Sequence, residues 1–456
     1  MAEGPPAGNT PGGMARWRWM NSEGRTGMLD RVFGFREQGT NARTEVLAGA
    51  TTFMTMAYII FVNPQILAAA GLPLHATIAA TCLAAAVPTI LMGLYTNYPF
   101  ALASGMGLNA ALAFLVTGEG VSWPAAMGVV FMEGAIITVL VLTRVREAVM
   151  SAIPMSLKHA IGVGIGLLIA YIGMQHAGWV IRPEGPGTLT TFGSFRDVST
   201  LVATAGLLIT AGLMAWRLHG AILLGIVITT GIAWAAGLVS LPERFLALPD
   251  LGTFGKLDIV GALKVSLIAP IFAFLVTDFF DTMGTVIGVG GQAGFVSPEG
   301  RLPRLNRVLL ADSLAAVWGS ICSASSVTTY VESAAGVGAG GRTGLTSLVV
   351  GILFVFALFF APIIGIVPAA ATAPALIVVG FLMLTVVRHI PFDKFDEAFP
   401  AFLTILTVPL TLSISRGIGY GFIAYTLLKI LTGRWRDVHP LMLVVSALFA
   451  VSFALS

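Results

Sequence analysis

The stretch S-V-T-T-Y-V-E-S-A-A-G-V-G-A-G-G-R-T-G, from Ser326 to Gly344, places a carboxylate among hydroxyl, aromatic and glycine residues. Val327 to Tyr330 are β-branched or aromatic and favour an extended chain. Glu332 to Ala335 could begin a helix, and a half-helix of about 10 residues would bring its first turn to mid-bilayer. We therefore predict a membrane segment that is interrupted, with a short strand followed by a helix.

The chain around this stretch is strongly apolar. Of its 456 residues, 56% are hydrophobic and only 10% are charged, whereas a soluble domain carries roughly 25% charged residues. The formal net charge of +3 gives no indication of nucleic-acid binding. We expect an all-α polytopic membrane protein, because bundled helices satisfy their own backbone groups in lipid.

Apolar segments of membrane-spanning length fall into two sets of seven, preceded by a cytoplasmic tail over 1–40 without regular structure. The first repeat occupies 41–240 and the second 262–432, and the apolar stretch at 439–455, within 433–456, is either a further span or an interfacial helix. The first set is 46–69, 77–95, 99–117, 123–143, 154–176, 199–216 and 219–239. The second set is 262–289, 306–322, 325–340, 345–366, 369–388, 399–414 and 417–432.

The distribution of Lys and Arg predicts a cytoplasmic N-terminus, because cytoplasmic loops carry an excess of both residues. The outside loops hold fewer of them: Arg182, Arg196 and Arg244. The tail and the inside loops hold Arg16, Arg18, Arg25, Arg31, Arg36, Arg43, Arg144, Arg146, Arg217, Arg301, Arg304, Arg307, Arg342, Arg388, Lys394, Arg434 and Arg436.

The two sets of segments resemble each other. Leu83 to Val87 in the second segment recurs as Leu314 to Val317 in the ninth, and Pro154 before the fifth has a counterpart in Pro374 of the twelfth. Because seven is odd, two tandem copies must lie in opposite orientations. This predicts the inverted repeats of secondary transporters, whose site lies near the midplane between the repeats.

The third segment occupies the place equivalent to the tenth and is also interrupted. Pro99 and the run Ser104-Gly105-Met106-Gly107 disfavour helix in its first half, while Leu108 onward suits a helix. Paired interrupted segments at matching places in two halves are the best pointer from sequence to a transporter site.

Glu332 has two interpretations that are compatible with each other. Thr329-x-x-Glu332 fits a capping box, in which the carboxylate accepts from an exposed backbone amide. At membrane depth, however, a carboxylate costs roughly 2.5–3.5 kcal/mol on insertion scales, and a threonine could cap without that cost. We therefore predict a role in substrate or proton binding.

The eighth segment, with the sequence F-L-V-T-D-F-F-D-T-M-G-T, supplies two further carboxylates. Asp278 and Asp281 are one helical turn apart and should share a face. Intramembrane carboxylates usually mark ion or substrate pathways, although both could instead bond helix amides or hydroxyls. Asp281 is the stronger candidate, because Gly284 and its neighbours leave space beside it.

Three polar residues are secondary candidates. Asn109 should form a hydrogen bond across the interrupted segments or contact the ligand, and Glu133 should bridge helices or relay protons. Asp312 is expected to stabilise the ninth segment. The chain shows no cofactor motif, metal-ligand spacing or nucleophile–base arrangement. The sequence therefore predicts neither a cofactor nor an enzyme.

Five motifs resemble the nucleobase–cation symporters, in particular the AzgA-like branch that imports adenine, guanine and hypoxanthine. The likeness runs from about residue 25 to the end of the chain. The motifs are N-A-R-T-E-V-L-A-G-A-T-T-F-M-T-M-A-Y-I-I-F-V-N-P (41–64), A-S-G-M-G-L-N-A (103–110), F-D-T-M-G-T (280–285), T-T-Y-V-E-S-A-A-G (328–336) and P-A-A-A-T-A-P-A-L-I-V-V-G (368–380).

The resemblance implies fourteen spans in two inverted seven-helix repeats, with spans 1–4 and 8–11 as a core domain and spans 5–7 and 12–14 as a gate domain. It implies short strands in spans 3 and 10, and contacts from Asp281 and Glu332 to the base. The turn at Ser104, Gly105, Met106 and Gly107 would offer backbone groups. Further contacts are predicted for Tyr330, Thr329 and Thr285, the last at a place where related uracil permeases carry histidine.

Together these observations predict import of purine nucleobases with protons, by movement of the core past the gate. Carboxylates accept N–H bonds from the purine edge, and two like charges near one ligand favour protonation of one of them. Asp281 and Glu332 are the expected proton carriers. Alternatives are an uncoupled nucleobase facilitator or channel and an anion transporter, although acidic residues at the site would repel anions. The resemblance implies a bacterial inner membrane and a possible homodimer through the gate.

Overall fold

The predicted segments form helices in the computed structural model, which describes residues 28–143, 153–181, 190–296 and 302–455. The tail 1–27 and several arginines used for orientation (Arg144, Arg146, Arg182 and Arg301) lie outside the described residues. The elements of the first half are α1 (Met28–Phe33), α2 (Ala42–Met56), α3 (Ile59–Ala69), α4 (Leu74–Thr96), β1 (Leu102–Ser104), α5 (Met106–Thr117), α6 (Trp123–Leu142), α7 (Met155–His176), β2 (Val180–Ile181), β3 (Thr191–Phe192), α8 (Val198–Ala215) and α9 (Ala221–Ala235).

The second half repeats this order of elements. It contains α10 (Ile259–Ala262), α11 (Ile268–Gln292), α12 (Leu305–Cys322), β4 (Val327–Thr329), α13 (Ser333–Gly338), α14 (Gly344–Ala357), α15 (Ala361–Ile364), α16 (Ala369–Leu384), α17 (Phe395–Thr411), α18 (Ile414–Leu431) and α19 (Pro440–Leu455). Short 3-10 turns connect some of them, at Val265–Leu267, Leu358–Phe360, Thr385–His389 and Trp435–Asp437.

Nine helices within the described ranges are long and apolar enough to cross a bilayer, counting α2 with α3 as one. The interrupted third and tenth segments are strand–helix units, as predicted. The predicted polytopic helical fold, with short strands in the third and tenth segments, is therefore confirmed. The helix of the tenth segment is shorter than the predicted half-helix, since α13 has 6 residues. The glycine-rich run ends it, and Gly340 has a φ of +102°.

The strands of the third and tenth segments pair with each other at the centre of the fold. β1 and β4 are antiparallel, and Leu102, Ala103 and Ser104 lie opposite Thr329, Thr328 and Val327. All six residues are buried. The pairing satisfies backbone groups that would otherwise be exposed to lipid at high cost. Because the strands are antiparallel, the two helices that follow them, α5 and α13, begin at opposite ends of the strand pair.

The spans pack in two groups, which correspond to the expected core and gate. Spans 1–4 pack with spans 8–11, mainly through α4, α6, α12 and α14. Spans 5–7 pack with spans 12–14, mainly through α7, α16, α17 and α18. Contacts between the two groups are sparser. Gln65 donates to the carbonyl of Val367 at 2.8 Å and accepts from Thr372, and the Lys158 ammonium lies 4.5 Å from the centre of the Phe280 ring.

Equivalent spans of the two repeats pack against each other. α4 packs against α12, and α7 packs against α16. Where α7 crosses α16, a Cβ on Gly166 would stand 2.8 Å from the carbonyl oxygen of Gly380. Small residues allow two helix backbones to approach this closely. The crossing therefore requires glycine at both positions.

The proline that begins the fifth span has a different counterpart from the one predicted. Pro154 and Pro368 are the N-cap residues of α7 and α16, and both are extended (ψ 145° and 158°). Pro374 lies inside α16 instead. Both Pro368 and Pro374 precede small apolar residues, so the local sequence does not indicate which of them begins the helix.

The gate contains a buried cation at the end of α18. Lys429 is 2% exposed, and its Nζ lies 2.6 Å from Asp396 Oδ2 and 3.3 Å from Glu397 Oε1. Arg434 Nη1 also contacts Asp396, at 2.7 Å. These ion pairs connect α17 to α18 and to the turn that precedes α19. The segment predicted at 439–455 forms α19, whose Phe449 ring packs against Phe272 and Phe422.

Candidate functional site

Glu332 lies where the strand of the tenth segment becomes a helix, and a tyrosine of the first span fixes its carboxylate. The Tyr58 hydroxyl donates to Glu332 Oε1 at 2.6 Å, across 274 residues of sequence. Tyr58 itself is buried, whereas Glu332 is partly exposed. One carboxylate oxygen is therefore held by a short, charge-assisted hydrogen bond while the side chain keeps access to a ligand.

The predicted capping box is wrong. Glu332 is the N-cap residue of α13 and makes no side-chain capping bond there. Thr329 turns instead towards Asp312, whose Oδ1 accepts from the Thr329 backbone N–H at 2.9 Å and from its hydroxyl at 2.7 Å. Asp312, which is distant in sequence, therefore accepts the hydrogen bond that the capping box would have given to Glu332. The buried Thr329 hydroxyl donates to Asp312, and its contact with a ligand stays a prediction.

Asp281 is exposed and lies on the side of α11 that faces open space. Nothing would contact a Cβ placed on Gly284 or Gly288 within 4 Å. The Asp281 carboxyl group interacts electrostatically with Glu332 and with the Tyr58 and Tyr330 hydroxyl groups. The structure thus brings together the two predicted carboxylates, Asp281 from the eighth span and Glu332 from the interrupted tenth span. Their binding role stays a prediction.

The strand-to-helix turn of the third segment is closed by Tyr330 on one side and by the gate on the other. The Tyr330 hydroxyl donates to the Ser104 carbonyl at 2.6 Å, and Ser104 Oγ has no protein partner. Gly105 is the N-cap of α5. Met106 is buried, and a Cβ on Gly107 would clash with the Ile165 side chain from α7. Glycine at 107 therefore lets the gate approach this turn.

Asn109 does not bond across the interrupted segments as expected. Its Nδ2 donates to the Ser104 carbonyl at 3.4 Å, which keeps the bond within the third segment. Its Oδ1 is buried and has no protein partner. Thr285 is buried one turn beyond Asp281 on α11. Both residues lie beside the candidate site, and their ligand contacts stay predictions.

Asp312 connects three spans rather than stabilising its own. In addition to its two bonds from Thr329, it accepts from the Thr282 hydroxyl at 2.6 Å. Thr282 in turn lies 2.8 Å from the Thr328 hydroxyl. A buried carboxylate is acceptable where several donors satisfy it. This network fixes α11 and α12 to the β4 strand.

Asp278 and Asp281 are neighbours one turn apart on α11, but Asp278 is buried and Asp281 is exposed. Three residues correspond to 300° around a helix, so the two side chains point to adjacent sides. Asp278 turns into the bundle, where it interacts with Glu133 of α6. The Ser326 hydroxyl lies 3.4 Å from both Glu133 Oε2 and Asp278 Oδ1. The structure therefore contains a second carboxyl cluster behind the candidate site.

A large cavity lies elsewhere and has no connection with these residues. It has a volume of about 480 Å³ and lies at one end of the gate, between α7, α17 and α18. Its lining includes Ser156, Lys394, Glu397 and Tyr425. None of the predicted site residues lines it. It belongs to the structure around the Lys429 ion pairs.

Tyr58 is the residue of the site that sequence analysis missed. It lies in the motif at 41–64 on which the family resemblance partly rests, and it is a lone tyrosine in an apolar run. A buried tyrosine hydroxyl needs a hydrogen-bond partner, so a single tyrosine in an apolar span indicates a polar contact inside the bundle. Its partner lies in the other repeat and could not be assigned from local pattern.

Two inverted repeats, a central pair of short strands and carboxylates beside them define a secondary transporter of the membrane. The permease-family model of the xanthine/uracil permeases matches residues 43–420. The chain therefore belongs to the xanthine/uracil permease family, in the branch that the sequence motifs indicated. Its relatives are permeases, so the protein is a multi-pass membrane transporter and not an enzyme.

Several curated relatives are similar over almost their whole length. A putative permease of Methanocaldococcus jannaschii is 46% identical over 93% of this chain and 98% of its own. The adenine permease AdeP of Escherichia coli is 44% identical, over 93% and 95% of the two chains. The guanine/hypoxanthine permease PbuO of Bacillus subtilis is 42% identical, over 92% and 99%.

Solved structures share the fold at low sequence identity. The transmembrane domain of the cyanobacterial bicarbonate transporter BicA has a TM-score of 0.61 at 14% identity, covering 83% of this chain and 97% of that one. The murine anion transporter Slc26a9, in its inward-facing state, has a TM-score of 0.62 at 11% identity, covering 95% and 77%. At this identity the likeness establishes the architecture alone.

Proposed function

We propose that the protein imports purine nucleobases of the adenine, guanine and hypoxanthine group together with protons. The observation that carries this proposal is the convergence of Asp281 and Glu332 beside the paired strands, with Tyr58 holding one Glu332 oxygen. The named substrates of the relatives AdeP and PbuO support the choice of purines.

The chemistry of a purine suits such a site. Its edge carries N–H donors and ring-nitrogen acceptors, and carboxylates accept from N–H groups. Asp281 and the free oxygen of Glu332 would accept from the base, backbone amides at the Ser104–Gly107 turn would donate to it, and an aromatic ring could stack on its face. Charge repulsion between the two carboxylates favours their protonation when they are brought together, which would couple proton entry to purine binding.

The packing of the helices suggests how the site would move. Contacts within the core group and within the gate group are dense, whereas few side chains such as Gln65 and Lys158 connect the groups. We propose that the core slides past the gate as a rigid body, carrying the site between the two membrane faces. With the proposed repeat boundaries at 41–240 and 262–432, each group would contain parts of both repeats.

The position in the cell and the assembly belong to the same proposal. The excess of Arg and Lys in alternate loops supports a cytoplasmic N-terminus in a bacterial inner membrane. The gate presents apolar side chains such as Leu208 and Trp216 on its outer surface, where a second copy could pack to form a homodimer.

Uptake into proteoliposomes tests the assignment. We expect labelled adenine, guanine or hypoxanthine to enter when the outside is acidified, and Asp281→Asn and Glu332→Gln to abolish that uptake without loss of protein. Glu243→Gln, in an exposed loop, is the matched control. Full uptake in either site variant would refute the roles of the carboxylates.

Two alternatives predict different results in the same vesicles. An uncoupled facilitator would equilibrate the base and ignore the pH gradient. An anion transporter would move bicarbonate or sulfate, as the shared architecture with BicA would allow, but carboxylates at the site would repel such substrates. Competition by a panel of unlabelled purines would rank the preferred base.

A further inference from the structure

Glu133 and Asp278 form a second pair of carboxyl groups, buried more deeply than the candidate substrate site. Glu133 lies on α6 with 0% of its surface exposed, and Asp278 lies on α11 with 1% exposed. α6 packs against α11, and the Ser326 hydroxyl lies between the two side chains. Two adjacent carboxylates in such a place cannot both stay ionised without a cation between them.

Among the described residues, one hydroxyl group is shared between the two carboxyl groups. The Ser326 hydroxyl lies 3.4 Å from Glu133 Oε2 and 3.4 Å from Asp278 Oδ1, yet it has a single proton and can donate to only one of them. Glu133 Oε1 is buried and has no hydrogen-bond partner in the part of the chain that the structure describes. Buried polar atoms are almost always satisfied, so an additional proton within the pair is the simplest missing donor.

The charged groups that act on the pair are themselves acidic. Asp312 of α12 acts on both carboxyls, and Asp281 of α11 acts on Asp278. α10 also packs on α6, but the Asp258 carboxylate before it caps the Gly261 amide at 2.8 Å. Asn109, on the neighbouring α5, is neutral. Within the described ranges these neighbours add negative charge around the pair, and the ammonium group of Lys158, on the α7 helix that also packs on α11, lies over the Phe280 ring.

Asp281 connects this pair to the open side of α11. It lies one turn from Asp278, about 5–6 Å between Cβ atoms in a regular helix. Asp281 is exposed and Asp278 is buried. A proton that Asp281 takes up from the open side can therefore reach the pair by a single transfer along the helix.

We propose that Glu133 and Asp278 together form a proton-binding site that is separate from the purine site. In the resting state the pair shares one proton and carries a single negative charge. A second proton passes from the Asp281 carboxyl group to the pair, which becomes neutral, and Asp281 returns to a carboxylate that accepts from a purine N–H. Asp281 thus receives the proton first, and the Glu133–Asp278 pair holds that proton while Asp281 binds the purine.

Infrared spectroscopy of the purified protein tests the shared proton without any transport assay. A protonated carboxyl group has a C=O stretching band that ionised carboxylates lack. We expect such a band at neutral pH, shifted in Glu133→Gln and in Asp278→Asn and lost in the double variant. Absence of the band from the wild-type protein, or an unchanged band in the double variant, overturns the proposal.

Transport tests the coupling role, which rests on the proposed function. A gradient of one pH unit supports about tenfold accumulation with one proton per base. We expect Glu133→Gln to lose this accumulation while it still exchanges labelled for unlabelled purine across the membrane at equal pH, as Glu243→Gln does. Normal accumulation in Glu133→Gln, or loss of exchange in protein that is still folded, overturns the coupling role.

The two experiments separate the two proposals. If the wild-type protein exchanges no purine, the proposed function fails, and the infrared result still decides whether the pair holds a proton. If exchange and accumulation are normal in the wild type and in the Glu133 variant, the proposed function stands and the proton site fails.

Discussion

Removal of the Tyr58 hydroxyl should weaken purine binding through the loss of one hydrogen bond. Tyr58→Phe deletes the donor that lies 2.6 Å from Glu332 Oε1 and leaves the ring in its buried position. A hydrogen bond to a charged group contributes about 1.5–3 kcal/mol. Glu332 is partly exposed and can regain water, so the lower end of that range applies. The expected loss of affinity is then roughly tenfold, since 1.4 kcal/mol corresponds to a factor of ten.

The assay is purine binding to detergent-purified protein by calorimetry, together with initial uptake rates in vesicles. We expect a higher dissociation constant and KM with little change in the maximal rate, because Tyr58 positions Glu332 without contacting the base. Tyr98→Phe is the matched control, since its hydroxyl donates to the Pro303 carbonyl at 2.7 Å, away from the site. Affinity in Tyr58→Phe equal to that of Tyr98→Phe would show that the hydrogen bond does not position Glu332.

Three further predictions concern the packing that holds the site. Asp312→Ala should lower the free energy of unfolding by about 3 kcal/mol, because it leaves the buried Thr282 and Thr329 donors unpaired. Asp312→Asn retains one acceptor and should lose less. Equal melting temperatures for the two variants would contradict this prediction. Gly380→Ala should destabilise the protein, because a Cβ there would clash with the Gly166 carbonyl. The control Gly212→Ala lies in a helix with open space beside it and should be neutral or stabilise the protein by about 0.5–1 kcal/mol. If thermal melts show Gly380→Ala to be as stable as the control, the close crossing of α7 and α16 is contradicted. Lys429→Met should lower the free energy of unfolding by about 3 kcal/mol, because it leaves Asp396 and Glu397 with less neutralising charge. The loss of monodisperse protein on heating measures this effect. An unchanged heating profile would show that Arg434 alone neutralises the two carboxylates.

The sequence predicts the fold well where the signal is local. Long apolar segments, the alternation of loop charges and the odd number of segments in each repeat together indicate the architecture. The β-branched run before Tyr330 and the glycines after Ser104 locate the two short strands, because extended preference and helix interruption are properties of adjacent residues. The motif at 280–285 also identifies Asp281 and the open space at Gly284.

The side-chain bonds of the site could not be predicted in the same way. Thr329 has a local partner in the capping box and a distant one in Asp312, and only the packed structure decides between them. Tyr58 and Glu332 lie 274 residues apart, and nothing in either local sequence indicates the other. The surroundings of Asp278 depend on the rotation of α11 against α6, which helical periodicity alone does not determine.

The pairing of β1 with β4 also constrains how the protein can be made. Ser104 pairs with Val327 of β4, so at about 5–20 residues per second the ribosome finishes the first strand about 10 to 45 s before the second has been synthesised. During that interval the backbone N–H and C=O groups at 102–104 lack the hydrogen-bond partners that β4 will supply, and unpaired backbone groups are costly inside the bilayer. The nascent chain must therefore be sheltered within the insertion machinery or at the lipid surface until its other half emerges, which makes biogenesis, rather than final stability, the step most sensitive to mutations in this short strand.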